Sequence, residues 1–112
     1  MNTIKYKKLN LESDQLLLDM GCGEGRHSIG ALLETSANVI GLDLSFKDLS
    51  IANSRLNDFD LSNLDTFCTF GVGNINNIPL ESASLDAVMC SEVLEHVDSP
   101  EESIQELIRV LK

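Results

Sequence analysis

The sequence predicts an α/β domain: a parallel, doubly wound sheet with helices on both faces. Three observations carry that expectation. Short apolar runs alternate with segments of helical period along the whole chain, a pattern that calls for parallel strands joined by right-handed crossovers. The first run, Leu16-Leu17-Leu18-Asp19-Met20, ends in Gly21-Cys22-Gly23-Glu24-Gly25 and passes directly into helical sequence. The second run, Asn38 to Asp43, also closes on an acid.

Residues 1–14 hold Tyr6, Leu9 and Leu11 without a sustained period and read as an N-terminal arm. Residues 15–112 form the domain. Strand one is Gln15 to Met20, apolar enough to be covered on both faces. Gly21 to Gly25 make a turn, because glycine reaches backbone angles closed to other residues and lets a ligand approach the main chain. A helix from Arg26 to Thr35 carries Ile29, Leu32 and Leu33 at helical spacing. Strand two is Asn38 to Asp43. Ser45 then caps a helix, with Asp48 expected to complete a capping box. Phe46, Leu49, Ala52 and Leu56 are its expected buried stripe. Asn57 to Asp65 is polar and turn-rich, strand three is Thr66 to Val72, and Gly73 to Ser84 is a loop containing Pro79. Strand four is Leu85 to Cys90, followed by a short helical turn or loop from Ser91 to Val97. Ser99-Pro100-Glu101-Glu102 is a strong helix start, with a capping serine, proline at the first helical position and acids in the first turn. Ile104, Leu107, Ile108 and Leu111 are that helix's apolar face.

Size and charge exclude several function classes. A chain of 112 residues is one domain at most. Hydrophobic residues make up 43% and no apolar run has the length of a membrane span. The net charge of −10 argues against broad nucleic-acid binding, which needs a basic face. The first residues are basic but lack the apolar core of a secretory signal. Cys22, Cys68 and Cys90 are odd in number and unpaired in spacing, as reduced thiols are. These features lead to the expectation of a cytoplasmic protein without membrane partners.

The strand ends assemble a nucleotide-type site at the carboxyl edge of the sheet. Asp43 stands at the tip of strand two, where a carboxylate can take both hydroxyls of a ribose. Leu44 beside it can lie flat on adenine. Asn74 and Ile75, in the loop after strand three, can read the edge of that base through an amide and a main-chain N–H. A plainer reading remains open for each: a ligand-free βα turn for the glycines, a helix cap for Asp43, an ordinary turn residue for Asn74.

The residues resemble a known family. Leu18-Asp19-Met20-Gly21-Cys22-Gly23-Glu24-Gly25 is similar to the first motif of class I S-adenosylmethionine-dependent methyltransferases. Ile40-Gly41-Leu42-Asp43-Leu44-Ser45 resembles their second. Gly73-Asn74-Ile75-Asn76-Asn77-Ile78-Pro79-Leu80, followed by Ser84-Leu85-Asp86-Ala87-Val88, resembles the third, with Asn74 where the family usually has aspartate. Ser91-Glu92-Val93-Leu94-Glu95-His96-Val97 looks like the segment after strand four in the branch that includes ubiquinone-type enzymes. The resemblance runs from about Leu16 to Lys112.

That resemblance implies a Rossmann-like sheet of order 3-2-1-4, truncated relative to the family's seven strands. It implies S-adenosylmethionine as cofactor and S-adenosylhomocysteine as product, with direct displacement onto an unidentified, small-molecule acceptor. Asp19, Gly21, Cys22 and Gly23 hold the methionine part, Cys22 through its place in the loop rather than its thiol. Asp43 holds the ribose, Leu44 packs on adenine, Asn74 and Ile75 contact its edge, and Ser91 lies by the methionyl amino group. His96 is a candidate general base; packing or capping is its plainer role. No metal is expected, although Glu92, Glu95 and His96 are an alternative ligand set for a divalent cation.

Acceptor binding usually draws on the half of the fold beyond strand four. The expectation is therefore either a fragment of a longer enzyme or a chain that pairs with itself or a partner across the bare edge of strand four. A cofactor-binding module without activity is the alternative function. A dinucleotide-binding oxidoreductase domain fits the Gly-x-Gly-x-Gly spacing less well than the methyl-donor site does.

Overall fold

The computed structural model describes residues 14–90 and 97–112. Along the chain come β1 (Leu16–Met20), α1 (Arg26–Glu34), β2 (Asn38–Asp43), α2 (Phe46–Asn57), β3 (Cys68–Val72), β4 (Ala87–Met89) and α3 (Pro100–Val110). The strands form one parallel sheet in the order β3-β2-β1-β4. Order and sense are those expected. The arm at residues 1–14 and the turn at Ser91–Val97 lie outside the described residues, apart from Asp14 and Val97.

Side chains alternate across a strand, so β1 feeds two cores. Leu18 and Met20 pack with Leu42, Ile75, Ile78, Leu85 and Val110 on the α3 face. Leu17 packs with Ala31, Leu32, Val39 and Met89 on the α1 face. A central parallel strand is buried on both sides for this reason, and its sequence is nearly continuous leucine. The register pairs Leu16 with Asn38 and Met20 with Leu42, which brings the carboxyl tips of β1 and β2 level.

Several element details differ from the sequence reading. β3 begins at Cys68 rather than Thr66, and β4 spans Ala87–Met89 rather than Leu85 to Cys90. Leu85 instead forms an isolated bridge with Leu111, so the start of strand four is not bare. At Ala87–Met89, β4 pairs with β1 only, among the described residues. Phe46 does not join the stripe of α2: it is 75% exposed, while Leu49 and Ala52 are buried. The face of α3 is rotated from the expected one. Ser103 and Val110 are buried and Leu107 packs on the core, while Ile104 and Ile108 (65% exposed) face away.

The caps also differ. The Ser45 hydroxyl accepts from Asp48 N–H at 3.2 Å, as expected, but the return bond is made by Asp43, whose Oδ1 accepts from Ser45 N–H at 2.9 Å. Ser99 makes no side-chain cap bond. Pro100 and the acids Glu101 and Glu102 remain to favour the start of α3.

Candidate functional site

The turn after β1 is built from glycines that no other residue replaces without strain. Gly21, Gly23 and Gly25 have φ of 77°, 54° and 86°, all in the left-handed region. This folds the turn back on β2. The N–H groups of Gly21 and Cys22 both donate to Leu42 O, at 2.7 and 3.0 Å. Gly23 N–H donates to Asp43 Oδ2 at 2.8 Å, and Gly25 N–H donates to Cys22 O at 3.0 Å. A loop that cradles phosphate presents free N–H donors. Here the donors of these four residues are engaged inside the protein. A Cβ placed on Gly23 would meet no atom within 4 Å, so the turn borders open space.

Asp43 is the hinge of this arrangement. Its two oxygens each accept one backbone N–H, from Gly23 and from Ser45. A carboxylate has about four acceptor positions, so each oxygen keeps one for an incoming hydroxyl. Leu44 follows, 68% exposed. Gly73 N–H donates to Asp43 O at 3.1 Å, which starts the loop carrying Asn74 and Ile75 from the same strand tip. The structure thus brings the glycine turn, Asp43, Leu44 and Asn74 to one end of the sheet. Glu24, half exposed, pairs with Arg55 of α2 at 3.1 Å.

Asp19 is buried, 2% exposed, and accepts from the Ser28 hydroxyl of α1 at 2.6 Å. Burial pushes its carboxyl above the usual aspartate range, against the opposing pull of that hydrogen bond. The sequence reading did not name Ser28. The available signal was a small polar residue beside Ile29 and Leu32 on a helix face otherwise apolar. The three thiols are free. Burial raises Cys22 and Cys68 to about 12, with Asp19 adding to both, and raises Cys90 as well. None is a thiolate nucleophile near neutral pH.

Phe70 and Gly41 were also missed. A Cβ on Gly41 would lie 2.6 Å from the Phe70 ring and 2.9 Å from Ser28 Oγ. Phe70 therefore lies over Gly41 of β2 and reaches Gly25. A glycine inside a strand signals such a close approach.

Asn74 is exposed and Ile75 is buried with Met20 and Leu42. Asn74 Oδ1 accepts from Asn76 N–H at 2.9 Å. α3 holds this loop from behind: the Ser103 hydroxyl donates to Asn76 Oδ1, Ile78 N–H donates to Glu106, and Arg109 donates to the carbonyls of Ile78 and Leu80. A groove of about 910 Å³ between this loop and α3, floored by Glu106 and Arg109, includes no residue of the glycine turn and not Asp43. Ser91, Glu92, Glu95 and His96 lie outside the described residues. Among the described residues no three His, Cys, Asp or Glu side chains cluster as a metal site, and no helix is long and apolar enough to cross a membrane.

Known proteins share this architecture. The family profile described as "Methyltransferase domain" matches residues 18–112. The ubiquinone biosynthesis O-methyltransferase of Azoarcus sp. is 35% identical over 96 residues, covering 86% of this chain and 39% of that protein. The demethylmenaquinone methyltransferase of Oceanobacillus iheyensis is 32% identical over 108 residues, covering 95% and 44%. The solved structure of phosphoethanolamine N-methyltransferase 2 of Haemonchus contortus, in complex with S-adenosyl-L-methionine, superposes with a TM-score of 0.79 at 26% identity, covering 91% of this chain and 23% of that one. The chain spans less than half the length of the curated relatives it matches. With the profile matched over most of its length and the sheet order expected of that family, the chain belongs to the methyltransferase domain family.

Proposed function

We propose that residues 15–112 bind S-adenosylmethionine at the carboxyl tips of β1, β2 and β3 and serve methyl transfer to a small-molecule acceptor, leaving S-adenosylhomocysteine. One observation carries this reading. The N–H groups of Gly21, Cys22 and Gly23 are directed into β2, while Asp43 at the same tip keeps one acceptor position on each oxygen. Such a site suits a ligand with hydroxyls to donate and no phosphate to be cradled, which separates a sulfonium nucleoside from a dinucleotide.

In this reading Asp43 takes the ribose hydroxyls and Leu44 covers a face of adenine. Asn74 and Ile75 meet the edge of the base. Gly21, Cys22 and Gly23 line the path of the methionine part with main chain, and the buried Asp19 carboxyl stands behind them. Ser91 as a contact of the amino group and His96 as a base for a hydroxyl acceptor complete the proposal. When bound, S-adenosylmethionine supplies a methyl group on a sulfonium, open to direct displacement by an acceptor's nucleophile. The protein's part is to fix that donor and exclude water beside it. Two relatives named for quinone methylation support a small acceptor, and the free, protonated thiols support a reducing, cytoplasmic setting.

Isothermal calorimetry with S-adenosylmethionine, S-adenosylhomocysteine and NAD tests the site. The two methyl-donor ligands should bind, and NAD at least about tenfold more weakly. Loss of two hydrogen bonds to a charged group in Asp43→Ala should weaken S-adenosylhomocysteine by roughly 100-fold. Tighter binding of NAD overturns the assignment. A screen of acceptors for S-adenosylhomocysteine formation then tests the transfer itself.

A further inference from the structure

We propose that the outer edge of β3 pairs with the same edge of a second copy of this chain, antiparallel and in one register. The ladder between β2 and β3 settles which groups that edge offers. Val39 N–H donates to Phe67 O at 2.8 Å, and Gly73 N–H donates to Asp43 O at 3.1 Å. With Val39 level with Cys68 and Asp43 level with Val72, residues 67, 69, 71 and 73 turn their main-chain groups toward β2. Cys68, Phe70 and Val72 turn theirs outward. Among the described residues, those N–H and C=O groups meet no partner.

An edge strand is ordinarily guarded by charge, proline or a bulge. Thr66-Phe67-Cys68-Thr69-Phe70-Gly71-Val72-Gly73 has no charged residue and no proline. β3 also keeps an unbroken register with β2 from Cys68 to Val72. The other edge of the sheet differs. There β4 spans only Ala87–Met89, and Leu85 before it is bridged by Leu111.

The β3 edge is complementary to itself. Two copies related by a two-fold axis at Phe70 align Cys68 with Val72, Phe70 with Phe70, and Val72 with Cys68. These become the hydrogen-bonded pairs of an antiparallel ladder, so every outward group finds its match. A shift by two residues carries Val72 or Cys68 past the end of the opposing strand.

The side chains agree with the backbone. Phe70 lies over Gly41 on the α1 face, so Phe67 and Thr69 stand on the other face, where Phe67 is 50% exposed. In this register each Phe67 lies opposite Gly73 of the second copy and diagonally across from its Gly71. A Cβ on Gly71 would meet Leu42 alone within 4 Å, at 3.6 Å, so a ring has room there. An aromatic residue set across from glycine is a favourable cross-strand pair. Asp65, the nearest charge on the amino side, falls opposite Ile75 rather than another carboxylate, which matters in a chain of net charge −10. The two candidate sites lie at opposite ends of the joined sheet, because the strands run antiparallel.

The test uses the full chain without ligand. Sedimentation should show monomer passing to dimer between about 1 μM and 1 mM. Hydrogen exchange, followed by NMR at both ends of that range, reads the edge itself. The amides of Cys68, Phe70 and Val72 should exchange at least about tenfold more slowly in the dimer, while those of Thr69 and Gly71, already bonded to β2, are slow at both concentrations. Thr69→Lys sets two ammonium groups diagonally across the axis. It also lowers the net negative charge, so general repulsion between copies falls. The dimer should nevertheless weaken at least about tenfold, with the circular dichroism spectrum unchanged. A variant that does not fold leaves the exchange measurement on the unaltered chain to decide. A chain that stays monomeric across that range overturns the proposal. A dimer whose three amides exchange as fast as in the monomer, or that survives Thr69→Lys undiminished, also overturns it, since such a dimer joins through another surface.

Discussion

Asp19 is an ionisable group in surroundings that disfavour its charge. Burial raises its folded pKa above the unfolded value of 3.8, and the Ser28 hydroxyl only partly opposes this. The sign of the linkage follows. The group's contribution to stability is full below pH 3.8 and is lost as pH rises through the raised folded value. At neutral pH an ionised Asp19 thus weakens the fold. Asn is neutral, of the same shape, and still accepts from Ser28. Asp19→Asn should therefore be at least as stable as the wild type at pH 7 in urea denaturation, with its advantage shrinking as pH falls to 4. A variant less stable at pH 7 contradicts this.

At the scale of elements, the sheet and the turn are coupled through Phe70. It lies over Gly41 and against Gly25, so β3 supports the start of α1 across β2. Gly41→Ala puts a methyl 2.6 Å from the ring. Overpacking of this kind should destabilise by about 1–3 kcal/mol, read from the urea midpoint at unchanged slope. No loss would mean that the ring moves freely.

Strand and helix positions were legible because apolar runs and helical periods are local signals. The tips of β1 and β2 were legible for the same reason, and with them the proximity of Gly23 to Asp43. What escaped the sequence depends on partners far along the chain. Periodicity put Phe46 in the α2 stripe, but its place at the first helical residue turns it to solvent. It also put Ile104 and Ile108 on the packed face of α3, whereas Ser103, Glu106 and Arg109 bind the loop after β3 and set the rotation of the helix. Whether the N–H groups of the glycine turn are engaged is likewise invisible in composition and spacing. It depends on the β1–β2 register.

The whole molecule gathers its chemistry at one end. Parallel strands leave a crevice at their carboxyl tips, and here the tips carry a turn of left-handed glycines, Asp43 and the Asn74 loop, on an acidic chain of net charge −10. α1 and α2 support this end from one face and α3 from the other. The most direct measurement is residue-resolved NMR of the ¹⁵N-labelled chain titrated with S-adenosylhomocysteine. The amide signals of Gly21, Gly23, Asp43, Leu44 and Ile75 should move together and saturate at one ligand per chain. Signals that stay still in the glycine turn and at Asp43 while others move would contradict the account.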